Sequence, residues 1–151
     1  MSLEDYRKKR DFSKTSEPCG YEAPTHPAPI FVVQEHHASH LHYDLRLEID
    51  GVLKSFAIPK TPPIEHGVKR LAIQTEDHPL SYADFEGEIP EGHYGAGTVK
   101  QWDKGELVIE EVKENEKMLF ELSGSKLTGG YALIKTKYGG RKNSWLFFKR
   151  K

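Results

Sequence analysis

LHYDLRLEIDGVLKSFAIP, residues 41–59, carries the clearest structural signal in the chain. Leu41, Tyr43, Leu45, Leu47 and Ile49 alternate with His42, Asp44, Arg46, Glu48 and Asp50. A period of two marks a strand with one buried side. Asp50-Gly51 then supplies the two positive-φ positions of a tight hairpin turn, and VLKSFAI returns as the partner strand until Pro59 stops it. Upstream, IFVVQEHH from Ile30 is a β-branched and aromatic run suited to a strand. Downstream, RLAIQTE follows the loop KTPPIEHG, and the turn-rich DFEGEIPEGHYGAG leads into TVKQWD. ELVIEEV, KMLFELSG, GYALIKTKY and SWLFFKRK are further short strands, at spacings that suit an all-β sandwich or barrel. No segment sustains a 3.6-residue apolar period, although Glu106–Leu122 has room for a short amphipathic turn. The chain has no internal repeat.

At 151 residues, 36% hydrophobic and 30% charged, the chain fits one globular domain and not a disordered or membrane-spanning class. No apolar run approaches the roughly 20 residues of a membrane span, and MSLEDYRKKR lacks the apolar stretch of a secretory signal. A cytoplasmic location is expected. Cys19 is the single cysteine, which excludes an intrachain disulfide and a thiolate cage, so a metal would sit on histidine and carboxylate. The net charge of -1 is unevenly spread: eight Lys or Arg and no acid from Lys126 to Lys151, six acids and no Lys or Arg from Glu76 to Glu91. The basic block reads either as a solvated tail or as a phosphate-binding face. Residues 1–29, with a charged start and Pro18, Pro24, Pro27 and Pro29, resist regular structure and read as an arm ahead of a domain over 30–151.

His42, Asp44 and Arg46 stand at i, i+2 and i+4 and project from one face of their strand. Such a face either meets water or holds these groups paired or on a ligand, because burying them bare is costly. His36, six residues upstream, joins His37 and His40 to put four of the eight histidines within seven residues. Two imidazoles and a carboxylate are a usual ligand set for zinc or manganese with open positions left for substrate, so H-x5-H-x-D is a candidate open metal site. An arginine beside it has the planar fork that grips two phosphate oxygens, which together with a metal suggests phosphoryl chemistry.

EDHPLSYADFEGEIPEGHYGAG adds His78, Tyr82 and His93. His78 lies where a strand hands over to a loop, placed either to cap a turn or to protonate a leaving oxygen and steady a phosphoryl transition state. Gly92, Gly95 and Gly97 follow no strand-to-helix pattern of a nucleotide loop, so turn geometry explains them better than phosphate cradling.

QEHHASHLHYDLRLEIDGVLKSFAIPK, EDHPLSYADFEGEIPEGHYGAG and VKQWDKG resemble the 3′-phosphoesterase domain of bacterial DNA ligase D and its stand-alone archaeal relatives. The likeness runs from YRKKRDFSKTSEP at Tyr6 to the C-terminal SWLFFK, nearly the whole chain. It implies a compact, mostly antiparallel β-barrel with short helical turns, using manganese or a similar divalent metal such as zinc or cobalt. The implied activity removes a 3′-terminal ribonucleoside to leave a 3′-phosphate, then removes that phosphate to leave a 3′-hydroxyl. It further implies metal ligation by His36, His42 and Asp44 and phosphate contact by Arg46 and His78, with Tyr82 nearby. Lys60 and Arg70 are implied as further substrate contacts, and Gln34, Glu76, Arg10, Asp11 and Glu17 as supporting residues. The last three place the N-terminal arm against the active site, in disagreement with its composition. His37 reads as an exposed bystander.

Without polymerase or ligase sequence, the expected enzyme cleans nucleic-acid 3′ ends as a monomer, alongside a separate DNA ligase and end-joining factors. Two rivals share the pocket: a non-catalytic module that binds strand ends, and a cupin-like small-molecule metalloenzyme. Arg46 beside the metal set and the lack of a further close carboxylate weigh against the second.

Overall fold

A computed structural model describes residues 3–18, 28–137 and 142–150. The hairpin of residues 41–59 is made of β2 (Leu41–Ile49) and β3 (Val52–Ile58). Asp50 and Gly51 take φ of 54° and 80°, the pair of positive values whose twist suits a two-residue turn. Around the hairpin lie β1 (Ile30–His37), β4 (Lys69–Gln74), β6 (Gly97–Lys113), β7 (Lys117–Ser123), β8 (Thr128–Lys135) and β9 (Ser144–Lys149). Neighbours pair antiparallel in the order β1-β2-β3-β4-β9-β8-β7-β6, and β1 pairs β6 to close an eight-stranded barrel. A short β5 (Gly87–Ile89) adds to the start of β6, and a 3-10 helix (Leu80–Asp84) precedes it. The mostly β, antiparallel barrel expected from the sequence is the fold found.

β6 is the seam. Its first half pairs with β5 and β1 and its second with β7, so one 17-residue strand joins both ends of the sheet. The amphipathic turn allowed for in Glu106–Leu122 is replaced by the end of β6, a tight turn and β7. Leu107 and Ile109 on one strand and Met118, Phe120 and Leu122 on the other alternate into the barrel core, and that burial outweighs local propensity. In the N-terminal segment, Leu3–Lys8 form a helix, α1, where composition alone suggested irregular chain. Tyr6 anchors it: its ring is fully buried and its hydroxyl donates to the Pro18 carbonyl. Of the segment read as an arm, residues 19–27 lie outside the described ones.

Alternation along the wall creates two cores. Phe31 and Val33, Tyr43, Leu45 and Leu47, and Phe56 and Ile58 point inward and fill the barrel with Phe120, Tyr131, Trp145 and Phe147. Val32 and Leu53 point outward, yet are fully buried, because Tyr6, Leu80, Tyr82, Phe85 and Ile89 cover them as a second apolar layer. The candidate site lies on this outer face, between wall and layer.

Where β1 meets β6, Val33 pairs with Asp103 and Gln34 with Gln101, so Trp102 is an extra residue that bulges the strand. Bulges of this kind re-aim the side chains beyond them. Asp103, itself buried, accepts the backbone N–H groups of Ser125, Lys126 and Leu127 at 2.8, 3.1 and 2.8 Å and so organises the β7–β8 turn. Asp103→Ala leaves those amides without their acceptor and is expected to lower stability by about 3 kcal/mol in urea denaturation. Asp103→Asn, which keeps one acceptor oxygen, should lose less.

Candidate functional site

The site begins with register. β1 and β2 set His36 opposite His42, Gln34 opposite Asp44 and Val32 opposite Arg46, while β3 sets Ser55 opposite Arg46. Directly opposite residues share a face, so the strand pairing alone gathers these polar side chains on the outside of the wall. His78 is brought to them by a single β-bridge between its own backbone and Leu53, with N–H to O distances of 2.8 and 2.9 Å in the two directions.

His36, His42 and Asp44 converge: His36 Nδ1 lies 3.1 Å from His42 Nε2 and 3.4 Å from Asp44 Oδ2, and His42 Nε2 lies 3.4 Å from Asp44 Oδ1. Ligands about 2.1 Å from a shared ion stand roughly 3.0–3.4 Å apart, so the spacing fits one divalent cation. The outer partners point the same way. The Nε2–H of His36 donates to the Gly95 carbonyl at 2.7 Å, and the Nδ1–H of His42 donates to the His40 carbonyl at 3.1 Å. Backbone acceptors on the far nitrogens fix the tautomers and turn both lone pairs inward. Two lone pairs and a carboxylate within this distance repel unless a cation or a proton lies among them. Accordingly, the hydrogen bond and charge of Asp44 raise the His42 pKa above the usual imidazole value, despite burial. Burial alone would raise the Asp44 carboxyl, but its contacts with His36 and His42 and the charge of Arg46 hold it well below the usual carboxylate range.

Beside the triad is a buried cationic corner. Arg46 Nε donates to Gln34 Oε1 at 2.6 Å, and Gln34 in turn donates to the carbonyls of Tyr82 and Phe85, which pins the 3-10 helix to the wall. The Arg46 guanidinium lies 3.6 Å from Asp44 Oδ2 and 4.8 Å from the centre of the Tyr82 ring. From α1's far end, Arg10 reaches the same corner. Its Nε pairs with Glu17 Oε2 at 2.8 Å, which also accepts the Tyr82 hydroxyl at 2.7 Å. Glu76 accepts Lys9 at 2.7 Å and lies 3.8 Å from Arg10 Nη2.

His78 is enclosed by these groups. Its Nδ1 lies 2.9 Å from the Glu76 carbonyl and 3.1 Å from Ser55 Oγ, whose own hydrogen goes to the Leu53 carbonyl. The carbonyl, which can only accept, favours a proton on Nδ1 even though the Arg46 Nη1 donor lies 3.1 Å from the same atom, and the Arg10 donor beside Nε2 suits a lone pair there. Arg46 Nη1 at 3.1 Å and Arg10 Nη2 at 3.4 Å bracket the ring with positive charge. Burial first, then Arg46 and Arg10, hold the His78 pKa well below the usual imidazole value, so the ring is neutral at pH 7. Burial likewise pushes the Tyr82 phenol well above its usual value.

A cavity of about 240 Å³ opens over the triad, Arg10, Arg46, His78 and Tyr82, with Thr75, Glu76 and Tyr94 at its walls. Of the residues named from the sequence, Gln34 and Glu17 stand behind this cavity. Asp11 is exposed and turns its carboxylate onto Ser13, at 3.1 Å from N and 2.6 Å from Oγ. Lys60 and Arg70 are not brought to the triad; they line a separate cavity with Lys69. His37 is exposed and contacts Glu35. Gly95 has φ of 76°, a conformation that favours glycine and turns its carbonyl toward His36. Sequence reading missed Lys9, Ser55, Thr75 and Tyr94. None belongs to a chemical pattern: register brings Ser55, the chain's return from β4 to His78 brings Thr75, the docked N-terminal segment brings Lys9, and the loop before β6 brings Tyr94.

The His78 shift has a sign that can be tested. An imidazole whose pKa is depressed on folding binds more protons when unfolded, so stability falls as pH drops below the ordinary value of about 6.5. His42, whose pKa is raised, acts in the opposite sense but is common to wild type and His78→Gln, so the stability advantage of wild type over that variant, read from urea midpoints, should shrink as pH falls from about 7 to about 5.

A family model, DNA Ligase D 3′-phosphoesterase domain, matches residues 34–135. Among curated relatives, the "Multifunctional non-homologous end joining protein LigD" of Pseudomonas aeruginosa is 49% identical over 155 residues, covering 99% of this chain and 18% of the relative. The Mycobacterium tuberculosis "Multifunctional non-homologous end joining DNA repair protein LigD" is 50% identical over 138 residues, covering 89% of this chain and 18% of its own length. Its Mycolicibacterium smegmatis counterpart is 49% identical over 146 residues, covering 89% and 19%. The chain thus spans less than a fifth of the length of these relatives. With a family model over two thirds of its length and near-half identity across most of it, the chain belongs to the DNA ligase D 3′-phosphoesterase domain family.

Proposed function

We propose that this chain is a divalent-metal-dependent phosphoesterase of nucleic-acid 3′ ends. It would release a 3′-terminal ribonucleoside to leave a 3′-phosphate, and then release that phosphate to leave a 3′-hydroxyl for a ligase. The observation that carries this reading is the inward-facing triad of His36, His42 and Asp44 sharing one cavity with Arg46 and His78. These are groups suited to a cation and to an anion, side by side.

Bound to the triad, manganese, or zinc or cobalt in its place, would supply Lewis-acid polarisation of a phosphoryl oxygen. Arg46, held by Gln34 and Asp44, presents its remaining N–H groups to a second oxygen. Arg10 approaches the same point from the arm. His78 begins neutral with its Nε2 lone pair toward Arg10. An arriving phosphate offsets the two guanidinium charges, which lets the ring hold a proton there and pass it to the departing oxygen. That oxygen is the 5′-oxygen of the released ribonucleoside in the diester step and the strand's own 3′-oxygen in the monoester step. Tyr82 packs edge-on against the imidazole, with ring centres 4.7 Å apart, and keeps it facing the cavity. Water is the nucleophile in this reading, and no serine or cysteine is assigned that role. Lys60 and Arg70 would contact the strand further from its end, and Glu17, Glu76, Gln34 and Asp11 would support the arm and the arginines. A separate ligase and end-joining factors would act next, on a monomeric enzyme.

His42→Ala and Asp44→Ala should each reduce release of phosphate from a 3′-phosphate primer, with manganese added, by at least about a hundredfold while circular dichroism stays native. Near-normal turnover by folded variants would remove the metal assignment, and binding without product by the wild type would select a non-catalytic end-binding module. For His78→Asn, pH-rate profiles on diester and monoester substrates that match the wild type would take it out of proton transfer.

A further inference from the structure

Beyond the triad, the barrel end where β4 starts and β9 stops carries a second feature, built of cations: register sets Lys69 beside Phe148 on the outward side of the wall, and Arg70 and Lys149 beside Phe147 and Tyr131 on the inward side. Ala57 on β3 stands opposite Asp44 and lines the site cavity, whereas Pro59, two residues on, lines a neighbouring cavity of about 340 Å³. Lys60, Lys69 and Arg70 form the walls of the latter, with Leu71 and Leu146 at its floor. Lys69 is shared with a third cavity of about 280 Å³, bounded by His66, Phe148 and Lys149 on β9. The three hollows therefore follow one another across β3, β4 and β9.

The chain has 22 basic and 23 acidic residues, so an average surface would pair its cations. Elsewhere some are paired, Lys9 with Glu76, Lys54 with Asp77, Lys104 with Asp84, Lys117 with Glu111 and Arg150 at the rim of the third cavity with Glu110, while single lysines such as Lys14, Lys100 and Lys113 are not, among the described residues; what sets Lys60, Lys69, Arg70 and Lys149 apart is that they gather around two adjoining cavities. Lys60, Lys69, Arg70 and Lys149 have no carboxylate within ion-pair distance among the described residues, and none lines either hollow. Lys69 rests over the Phe148 ring at 5.4 Å, and Arg70 spends only its Nε, on the Thr61 carbonyl at 2.8 Å. Lys69 and Arg70 are thus held in place, by a ring contact and a hydrogen bond, while their charges have no carboxylate partner among the described residues.

Resting on the phosphoesterase reading, we infer that Lys69 and Lys149 extend the site into a track for the sugar–phosphate backbone behind the 3′ end. β9 stands three places from β2 in the strand order. At about 4.8 Å per strand that is roughly 14 Å of wall, or about four nucleotides at 3.4 Å each. The track contacts phosphates, not base edges, so it adds affinity without sequence preference. Its partner is a strand long enough to cross three strands of the barrel.

The test compares wild type with Lys69→Ala/Lys149→Ala, both with manganese. Affinity for a primer-template ending in a 3′-hydroxyl, longer than one helical turn, is measured against salt by fluorescence anisotropy. Each lost phosphate contact removes close to one from the slope of log affinity against log salt, so the double variant should lose about 2. Its kcat/KM on a dinucleotide 3′-phosphate, too short to reach β9, should stay at the wild-type value. An unchanged salt slope overturns the track, as does an equal loss on the dinucleotide. Lys69→Glu alone gives the same reading if the double variant loses stability. Failure of the wild type to hydrolyse the dinucleotide would instead count against the phosphoesterase reading, and the salt slope would still decide the track.

Discussion

A strand that is apolar on one side and carries an imidazole, a carboxylate and a guanidinium on the other has to be covered twice. The barrel interior accounts for the inward side of β2, with Tyr43, Leu45 and Leu47 packed among aromatic residues from opposite strands. On the outward side, Arg46 and His78 are nearly inaccessible, and leaving them there bare would cost several kcal/mol each. The second layer exists to make that burial tolerable. Its apolar part seals Val32 and Leu53, and its polar part meets each buried group with a partner: Gln34 for Arg46, Glu17 for Arg10 and Tyr82, the Glu76 carbonyl and Ser55 for His78.

The same arrangement sets the electrostatics. Three carboxylates, Asp44, Glu17 and Glu76, stand around two guanidiniums; Glu17 stands behind them, while Asp44 and Glu76 line the cavity beside them. What faces the cavity from Arg10 and Arg46 is positive, and the neutral His78 between them adds none of its own. A low-dielectric pocket with an excess of fixed donors stabilises an anion more than water would, because those donors need no reorganisation. The triad next to it has the opposite need.

Much of this was legible in the chain. The period of two over residues 41–49 and the Asp50-Gly51 turn identify the hairpin, because side-chain alternation and positive φ are local properties. Closure is not local: it depends on β1 meeting β6 some seventy residues on. ELVIEEV was legible as a strand, but not that it continues TVKQWD through the bulge at Trp102 as one 17-residue β6. In the N-terminal segment, the prolines dominate composition, whereas Tyr6, Arg10 and Glu17 are docked by individual contacts that composition cannot represent. The metal-ligand pattern was visible because its three members lie within nine residues and two of them share a strand face. Ser55 and Tyr94 were not, because an ordinary serine and tyrosine gain significance only from what folds against them.

One contact joins the His36–His42–Asp44 triad to a glycine-rich loop. Gly95 holds His36 through its carbonyl, and Gly92, Gly95 and Gly97 all take positive φ. Such a loop can rock about its glycines, and each excursion of the Gly95 carbonyl frees the imidazole to turn. The residence time of a cation held by the triad would therefore follow the loop, and stiffening residues 92–97 would slow exchange in both directions without altering any of the three side chains.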